Sequence, residues 1–299
     1  MADTPLEAVG LAKRFRRGWA LRDCTLTIPE HAIVGLAGPN GAGKSTLLGL
    51  AVGLLEPTAG SIAVLGNDPW RDAQTLSRVG YVPQDAPLYR SLTVAETLEF
   101  ARVTNEQWDG DLASELLLRV RSEVKVATLT AGERARLSLS LALGKRPALL
   151  LLDEPFAKLD PLAGREFLGM LMDGVAATES TVVIASHVVA DLERVCDHIV
   201  LLSDGAVRLQ GNVDELLGTH RLLTGARRPL GTIHGVETVV RERHSGRQLT
   251  LLVRTNAPVL DPTWSVDEIR LDELLLAYMA PERLPTPRSP EPGRLRWHG

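Results

Sequence analysis

At 299 residues with 44 % hydrophobic positions, the chain is long enough to bury one large core or two modest ones. A net charge of −4 and 4 % aromatic residues supply neither the cationic surface nor the stacking platforms of a nucleic-acid binder, so no nucleic-acid partner is expected. Two cysteines, Cys24 and Cys196, make no disulfide framework and read as buried free thiols in a reducing compartment.

The start, Met1-Ala2-Asp3-Thr4-Pro5, is polar and acidic, unlike a signal peptide. No stretch reaches the roughly 18 charge-free apolar residues of a membrane span, so any span is expected on another chain. Short strands are predicted over 6–11, 20–28 and 33–37. Between the first two lies the basic turn Lys13-Arg14-Phe15-Arg16-Arg17-Gly18-Trp19. Phe15 or Trp19 could stack on an adenine, and an ordinary half-buried aromatic is the competing reading.

The third strand runs into Gly38-Pro39-Asn40-Gly41-Ala42-Gly43-Lys44-Ser45-Thr46, which fits G-x-x-x-x-G-K-[ST]. An apolar helix follows, so strand, glycine loop and helix stand in the order that a phosphate cradle needs. Gly38, Gly41 and Gly43 let the backbone take positive φ and approach an anion closely. Converging N–H groups and the helix N-terminus then favour phosphate. Lys44 can reach the β- and γ-phosphates, and the Ser45 hydroxyl can ligate Mg²⁺.

A strand is predicted over 61–66, and another ends at Pro83, followed by Gln84-Asp85. Residues 92–146 read as helical. Thr93 and Glu96 form one capping box, and Thr130 and Glu133, in Leu129-Thr130-Ala131-Gly132-Glu133, form a second that opens a helix through about Leu143. Leu112, Leu116 and Val120 repeat at helical spacing between them. The run Ala148–Leu152 is a buried parallel strand ending in Asp153-Glu154, where ligands gather in such sheets. Asp153 is the natural Mg²⁺ partner of Ser45, and Glu154 can orient or deprotonate water. A further apolar strand, 181–186, ends at His187, which by itself reads as structural. Residues 199–202 add a strand.

After about Leu217 the pattern changes. Two strands flank His244-Ser245-Gly246-Arg247, followed by a strand near 265–270 and a helix from about Leu271 to Ala280. Residues 281–299 carry five prolines and four arginines and are expected to be disordered.

Taken in order, the phosphate loop, Gln84, Leu129–Glu133, Leu149–Glu154 and His187 resemble the ATP-binding subunit of an ATP-binding cassette (ABC) transporter, over roughly residues 5–216. The resemblance implies an α/β P-loop NTPase: a RecA-like core with an antiparallel β subdomain and a helical subdomain at about 85–145. That places an ATP-binding domain at 1–217, a small α+β accessory unit at 218–280 and the tail beyond it. It implies ATP and Mg²⁺ as ligands, held by Gly38, Asn40, Gly41, Ala42, Gly43, Lys44, Ser45 and Thr46, with Phe15 on the adenine. Gln84 would sense Mg²⁺ and the attacking water, Asp153 would ligate the metal, Glu154 would be the catalytic carboxylate and His187 the switch histidine. Ala157-Lys158-Leu159-Asp160 would line the dimer interface. Thr130, Gly132 and Glu133, a signature motif, would contact the γ-phosphate of ATP held by a second ATP-binding subunit, in a homodimer or heterodimer.

Three positions depart from the usual Leu-Ser-Gly-Gly-Gln: Thr130, Ala131 and Glu133. Glu133 sets a carboxylate near a phosphate unless it turns back to cap its own helix. His31 stands where a turn glycine is common. The run 92–98 and the C-terminal extension resemble drug or antibiotic exporters, which implies a separate transmembrane permease subunit and a place on the inner face of the cell membrane. Alternatives are an ABC ATPase not tied to transport and a nucleotide-binding regulator with weak hydrolysis.

Overall fold

The computed structural model describes residues 4–117, 120–227 and 233–279. The chain opens with β1 (Leu6–Phe15), β2 (Gly18–Ile28) and β3 (Ile33–Ala37), then α1 (Lys44–Ala51) and β4 (Ala59–Val64). β1 pairs antiparallel with β2 on one side and β4 on the other, forming a three-stranded sheet. β1 and β2 run further toward each other than the apolar pattern indicates, and the basic turn shrinks to Arg16-Arg17 because Phe15 pairs with Gly18.

Next come α2 (Ala73–Ser77), β5 (Val79–Val82), α3 (Val94–Thr104), α4 (Gly110–Glu115) and α5 (Ala131–Leu143). They lead into β6 (Leu149–Asp153), α6 (Pro161–Thr178), β7 (Thr181–Ser186), α7 (Val189–Leu192), β8 (His198–Ser203) and β9 (Ala206–Asn212). The central sheet has six strands in the order β5-β6-β7-β3-β8-β9, parallel except for β9. This is the P-loop α/β core, with the glycine loop leaving one of its central strands.

Period-two alternation shares the sheet between two cores. Leu149 and Leu151 face one cluster with Val34, Leu36, Val183 and Val200. Leu150 and Leu152 face the other with Val182, Ile184, Ile199 and Leu201. Both faces are covered, which is why β6 reads as an unbroken leucine run. Each such leucine contributes roughly 1.5–3 kcal/mol by leaving water.

The helical lobe packs Val94, Leu117, Val126, Leu129 and Leu137 together. Its first capping box forms: Thr93 N–H donates to Glu96 Oε2 at 2.7 Å and Glu96 N–H to Thr93 Oγ1 at 3.1 Å. Leu112, Leu116 and Val120 do not share one helix. α4 stops at Glu115, and the chain tightens into turns in which Leu117 N–H bonds Ser114 O and Val120 N–H bonds Leu117 O. Leu116 and Val120 consequently pack in different clusters.

The remaining elements are α8 (Val213–Thr219), β10 (His220–Ala226), β11 (Val236–Ser245), β12 (Gln248–Thr255), β13 (Trp264–Asp267) and α9 (Leu271–Met279). The strands form an antiparallel sheet of order β11-β12-β10-β13. β13 begins and ends earlier than the predicted 265–270, because Ile269 leaves the sheet to pack with Leu274 and Ala277 of α9. The Pro/Arg-rich segment 281–299 lies outside the described residues. Among the described residues no helix is long and apolar enough to cross a membrane.

Candidate active site

The site begins where β3 ends. Gly38 has φ +154° and Gly43 has φ +109°; a Cβ on Gly38 would lie 2.3 Å from Leu202 O, and one on Gly43 2.6 Å from Ala20 O. Both positions need the missing side chain for conformation and for space. Gly43 caps α1 with no side-chain bond, so the first-turn N–H groups are not satisfied by a capping side chain. That arrangement suits an anion. Lys44 is 5 % exposed, and its ammonium donates to Gly38 O at 2.8 Å and Pro39 O at 3.3 Å.

The parallel register brings the other groups to the same edge. Ala37 pairs with Ser186, and Asp153 with Ala185, so β3, β7 and β6 end side by side. Ser45 Oγ donates to Asp153 Oδ1 at 3.1 Å. Burial is the main force raising the Asp153 carboxyl pKa; the Ser45 bond opposes it, Glu154 adds to it and Lys44 counters it. Glu154 sits in the left-handed region at φ +50°, with its N–H donating to Ala185 O at 2.9 Å. A non-glycine residue held there stores strain on the order of 1–3 kcal/mol, a feature that clusters at functional positions. The twist carries its side chain inward: Glu154 Oε1 lies 3.3 Å from Lys44 Nζ, and Oε2 lies 2.8 Å from His187 Nδ1. Lys44, Ser45, Asp153, Glu154 and His187 thus gather in a network of two parts, Ser45 with Asp153 and Lys44 with Glu154 and His187, which adjoin through the chain at residues 44–45 and 153–154.

The donor set fits a phosphate-bound divalent cation. Ser45 and Asp153 offer two oxygens beside the glycine cradle. Among the described residues no group of three or more His, Cys, Asp or Glu side chains could hold a metal. A hard cation at this position would draw its other oxygens from phosphates and water, the usual habit of Mg²⁺.

Other predicted residues lie apart from this network. Gln84 is exposed, two residues beyond β5, whose last pairing is Val82 with Leu152. Phe15 and Trp19 are 44 % and 41 % exposed, with Lys13 Nζ 5.4 Å from the Phe15 ring centre and the Arg14 guanidinium carbon 5.6 Å from that of Trp19. Thr130 and Glu133 bond to each other: Glu133 Oε2 accepts from Thr130 N–H at 2.8 Å and from Thr130 Oγ1 at 2.9 Å. The Glu133 carboxylate is therefore turned back as a cap. Gly132 faces α6, where a Cβ would stand 3.2 Å from that of Ala163. His31 takes φ +53°, which is why glycine suits that turn, and its N–H is held by Thr181 Oγ1 at 2.9 Å.

Two tethers have no local signal in the sequence. Lys158 Nζ bonds Asp85 Oδ1 at 2.7 Å, linking the segment after Glu154 to the residue after Gln84. Arg136 of α5 pairs with Glu166 of α6. Their partners are far apart in sequence, and no local spacing announces them.

A model of the ABC transporter family matches residues 21–157. The lipopolysaccharide export system ATP-binding protein LptB of Acidithiobacillus ferridurans is 33 % identical over 223 residues, covering 71 % of this chain and 92 % of its own length. A solved ATP-binding subunit of an ABC transporter aligns with a TM-score of 0.64 and 30 % identity, over 71 % of this chain and 92 % of its own. A solved dimeric bacterial ABC transporter cassette aligns with a TM-score of 0.62 and 25 % identity, over 70 % and 98 %.

Proposed function

Because this chain belongs to the ATP-binding proteins of the ABC transporter family, we propose that it is the Mg²⁺-dependent ATPase subunit of a membrane exporter whose transmembrane subunits are separate chains. The observation that carries the reading is the network of Lys44, Ser45, Asp153, Glu154 and His187 beside the glycine cradle. ATP brings the phosphoryl group, and Mg²⁺, held by Ser45 and Asp153, would offset the charge on its phosphates.

The residues divide the work. The loop from Gly38 to Thr46, with Asn40, Gly41, Ala42 and Gly43, wraps the phosphates with N–H groups. Lys44 exchanges its loop carbonyls and Glu154 for the β- and γ-phosphates. Ser45 and Asp153 would hold the metal. Glu154, released from Lys44, takes the proton of the attacking water, while His187 orients its other oxygen. Gln84 joins from the neighbouring strand end, and Phe15 stacks on the adenine.

The second half of each site comes from another ATP-binding subunit, consistent with the dimeric cassette. There Thr130 and Gly132 at the start of α5 meet the γ-phosphate, and Glu133 stays folded onto Thr130. ATP then joins two subunits, and losing the γ-phosphate contacts lets them separate. Charge-assisted bonds of roughly 1.5–3 kcal/mol each make that loss sufficient to drive a domain motion.

The permease docks beside Gln84. A groove of about 480 Å³ there is lined by Leu54, Tyr89, Phe100, Leu141 and Lys145, with no carboxylate. Tyr89 and Phe100 pack edge to face at 5.6 Å. Such a groove suits an apolar helix from the membrane subunit, and docking there would put this chain on the inner membrane face. The sheet of β10–β13 with α9 acts as an accessory domain.

The test is Mg²⁺-dependent ATP hydrolysis by the purified chain across protein concentration, beside Lys44→Ala. Turnover that rises with concentration and vanishes in the variant supports the reading. Turnover that survives in Lys44→Ala rejects the site.

A further inference from the structure

α9 has two apolar edges that face two different bodies. Leu271 and Leu275, 1 % and 0 % exposed, enter the core cluster of the catalytic sheet together with Leu192, with Val189 and Val195 packed against it. Leu274 and Ala277 pack instead with Leu252, Leu222 and Val240 of the C-terminal sheet. The helix thus touches α7 on one side and β11 on the other, with α8 and β9 also against it. Polar bonds fix it to the C-terminal elements: Tyr278 Oη lies 2.9 Å from His220 Nε2, and Arg241 Nη1 donates to Leu276 O at 3.4 Å.

α7 is only four residues long and begins two residues after His187. A helix of that length has no stability of its own and depends on packing. Its buried anchor, Leu192, shares a cluster with Leu271 and Leu275 of α9, and the half-buried Val189 packs against that cluster. On its free side, His187 is held by a single bond to Glu154. We infer that α9 is a bracket that positions His187 against Glu154, with Leu275 and Leu271 as positioning residues for hydrolysis. The C-terminal sheet is then coupled to the chemistry, since any displacement of β10–β13 reaches α7 through α9. The inference rests on the ATPase reading above and adds the accessory unit to its active site.

The test is a double-mutant cycle in the full chain: wild type, Leu275→Ala, His187→Ala and both together. A misplacement on the order of 1 Å at a reacting group can cost up to about a hundred-fold, so Leu275→Ala is expected to lower kcat by about ten-fold with KM for ATP nearly unchanged. On the His187→Ala background the same change is expected to cost nothing further, because the residue it positions is gone. Leu275→Met, which conserves volume, restores kcat. Leu276→Ala, on the exposed side of α9, leaves it unchanged. If Leu275→Ala does not fold, Leu275→Val carries the same cycle with a smaller loss. An equal loss on both backgrounds overturns the bracket, as does a rise in KM without a fall in kcat.

The His187 ring resonance, assigned with His187→Ala, reads the same contact without turnover. It is expected to move in Leu275→Ala and stay in place in Leu276→Ala. An unmoved resonance overturns the bracket whatever the enzyme does. A moved resonance in a chain that hydrolyses nothing supports the bracket and rejects the ATPase reading alone.

Discussion

Lys44, Ser45, Asp153, Glu154 and His187 meet because β3, β6 and β7 end side by side in one parallel sheet: β3 leads through the glycine loop to Lys44 and Ser45 at the start of α1, β6 ends at Asp153 with Glu154 next, and His187 follows β7. The C-terminal unit holds together differently. Leu222, Leu252 and Val240 meet Leu274 and Ala277 through apolar packing, joined by the partly buried polar pair His220 and Tyr278. The first region uses strand ends to place charge, and tolerates strain at Glu154 to do so. The second relies mainly on apolar area, with the His220–Tyr278 pair within it and the Arg254–Glu237 ion pair at its surface. A change in the first should alter turnover sharply, and one in the second should mostly alter stability. The exception is the edge of α9 that touches α7.

The sharpest way to break the contrast is at Gly43. Gly43→Ala meets both Ala20 O and an unfavourable φ, and strain plus overpacking come to on the order of 3 kcal/mol. Urea unfolding should show that loss together with lost ATP affinity; a variant as stable as wild type would mean the loop is not rigid. Thr130→Ala removes a cap and should cost about 1 kcal/mol of stability. Glu133→Gln keeps an oxygen for Thr130 N–H, so its turnover should stay within about three-fold of wild type, the small change expected when a capping box keeps its acceptor. A much larger gain or loss would mean the carboxylate meets the nucleotide instead of its own helix.

In the C-terminal unit, Tyr278→Phe should cost about 1 kcal/mol for the lost bond to His220. His220 is 1 % exposed, and burial, with Arg254 adding to it against the Leu216 bond, keeps its pKa below the ordinary value. The unfolded chain therefore binds this proton more readily. The stability from neutral His220 is complete above the unfolded value of about 6.5 and is lost as pH falls through the lower folded value. Urea midpoints should drop between about pH 7.5 and pH 5.5, and drop less in His220→Asn. An equal drop in both would place the pH sensitivity elsewhere.

The site was legible in the sequence because its spacing is local. Nine consecutive residues make the phosphate loop, Asp153-Glu154 ends a leucine run, and both threonine boxes form with their predicted glutamates. The sheet was legible because β3, β6 and β7 are buried on both faces. Val120 was misread because helical spacing continued past a turn that local apolar periodicity cannot register. The Lys158–Asp85 tether and the bracket of α9 over α7 were invisible, since each joins segments separated by more than seventy residues of chain. The convergence of Glu154 with both Lys44 and His187 depends on a left-handed backbone turn that nothing in Asp153-Glu154-Pro155 announces.

The most direct measurement compares Glu154→Gln with wild type for both ATP affinity and Mg²⁺-dependent turnover. Loss of a general base should cut turnover by about 10²–10⁴ while ATP stays bound, because the phosphate cradle is untouched. Turnover within the range of wild type would contradict the assignment of Glu154 as the residue that activates water, and with it the account of the site.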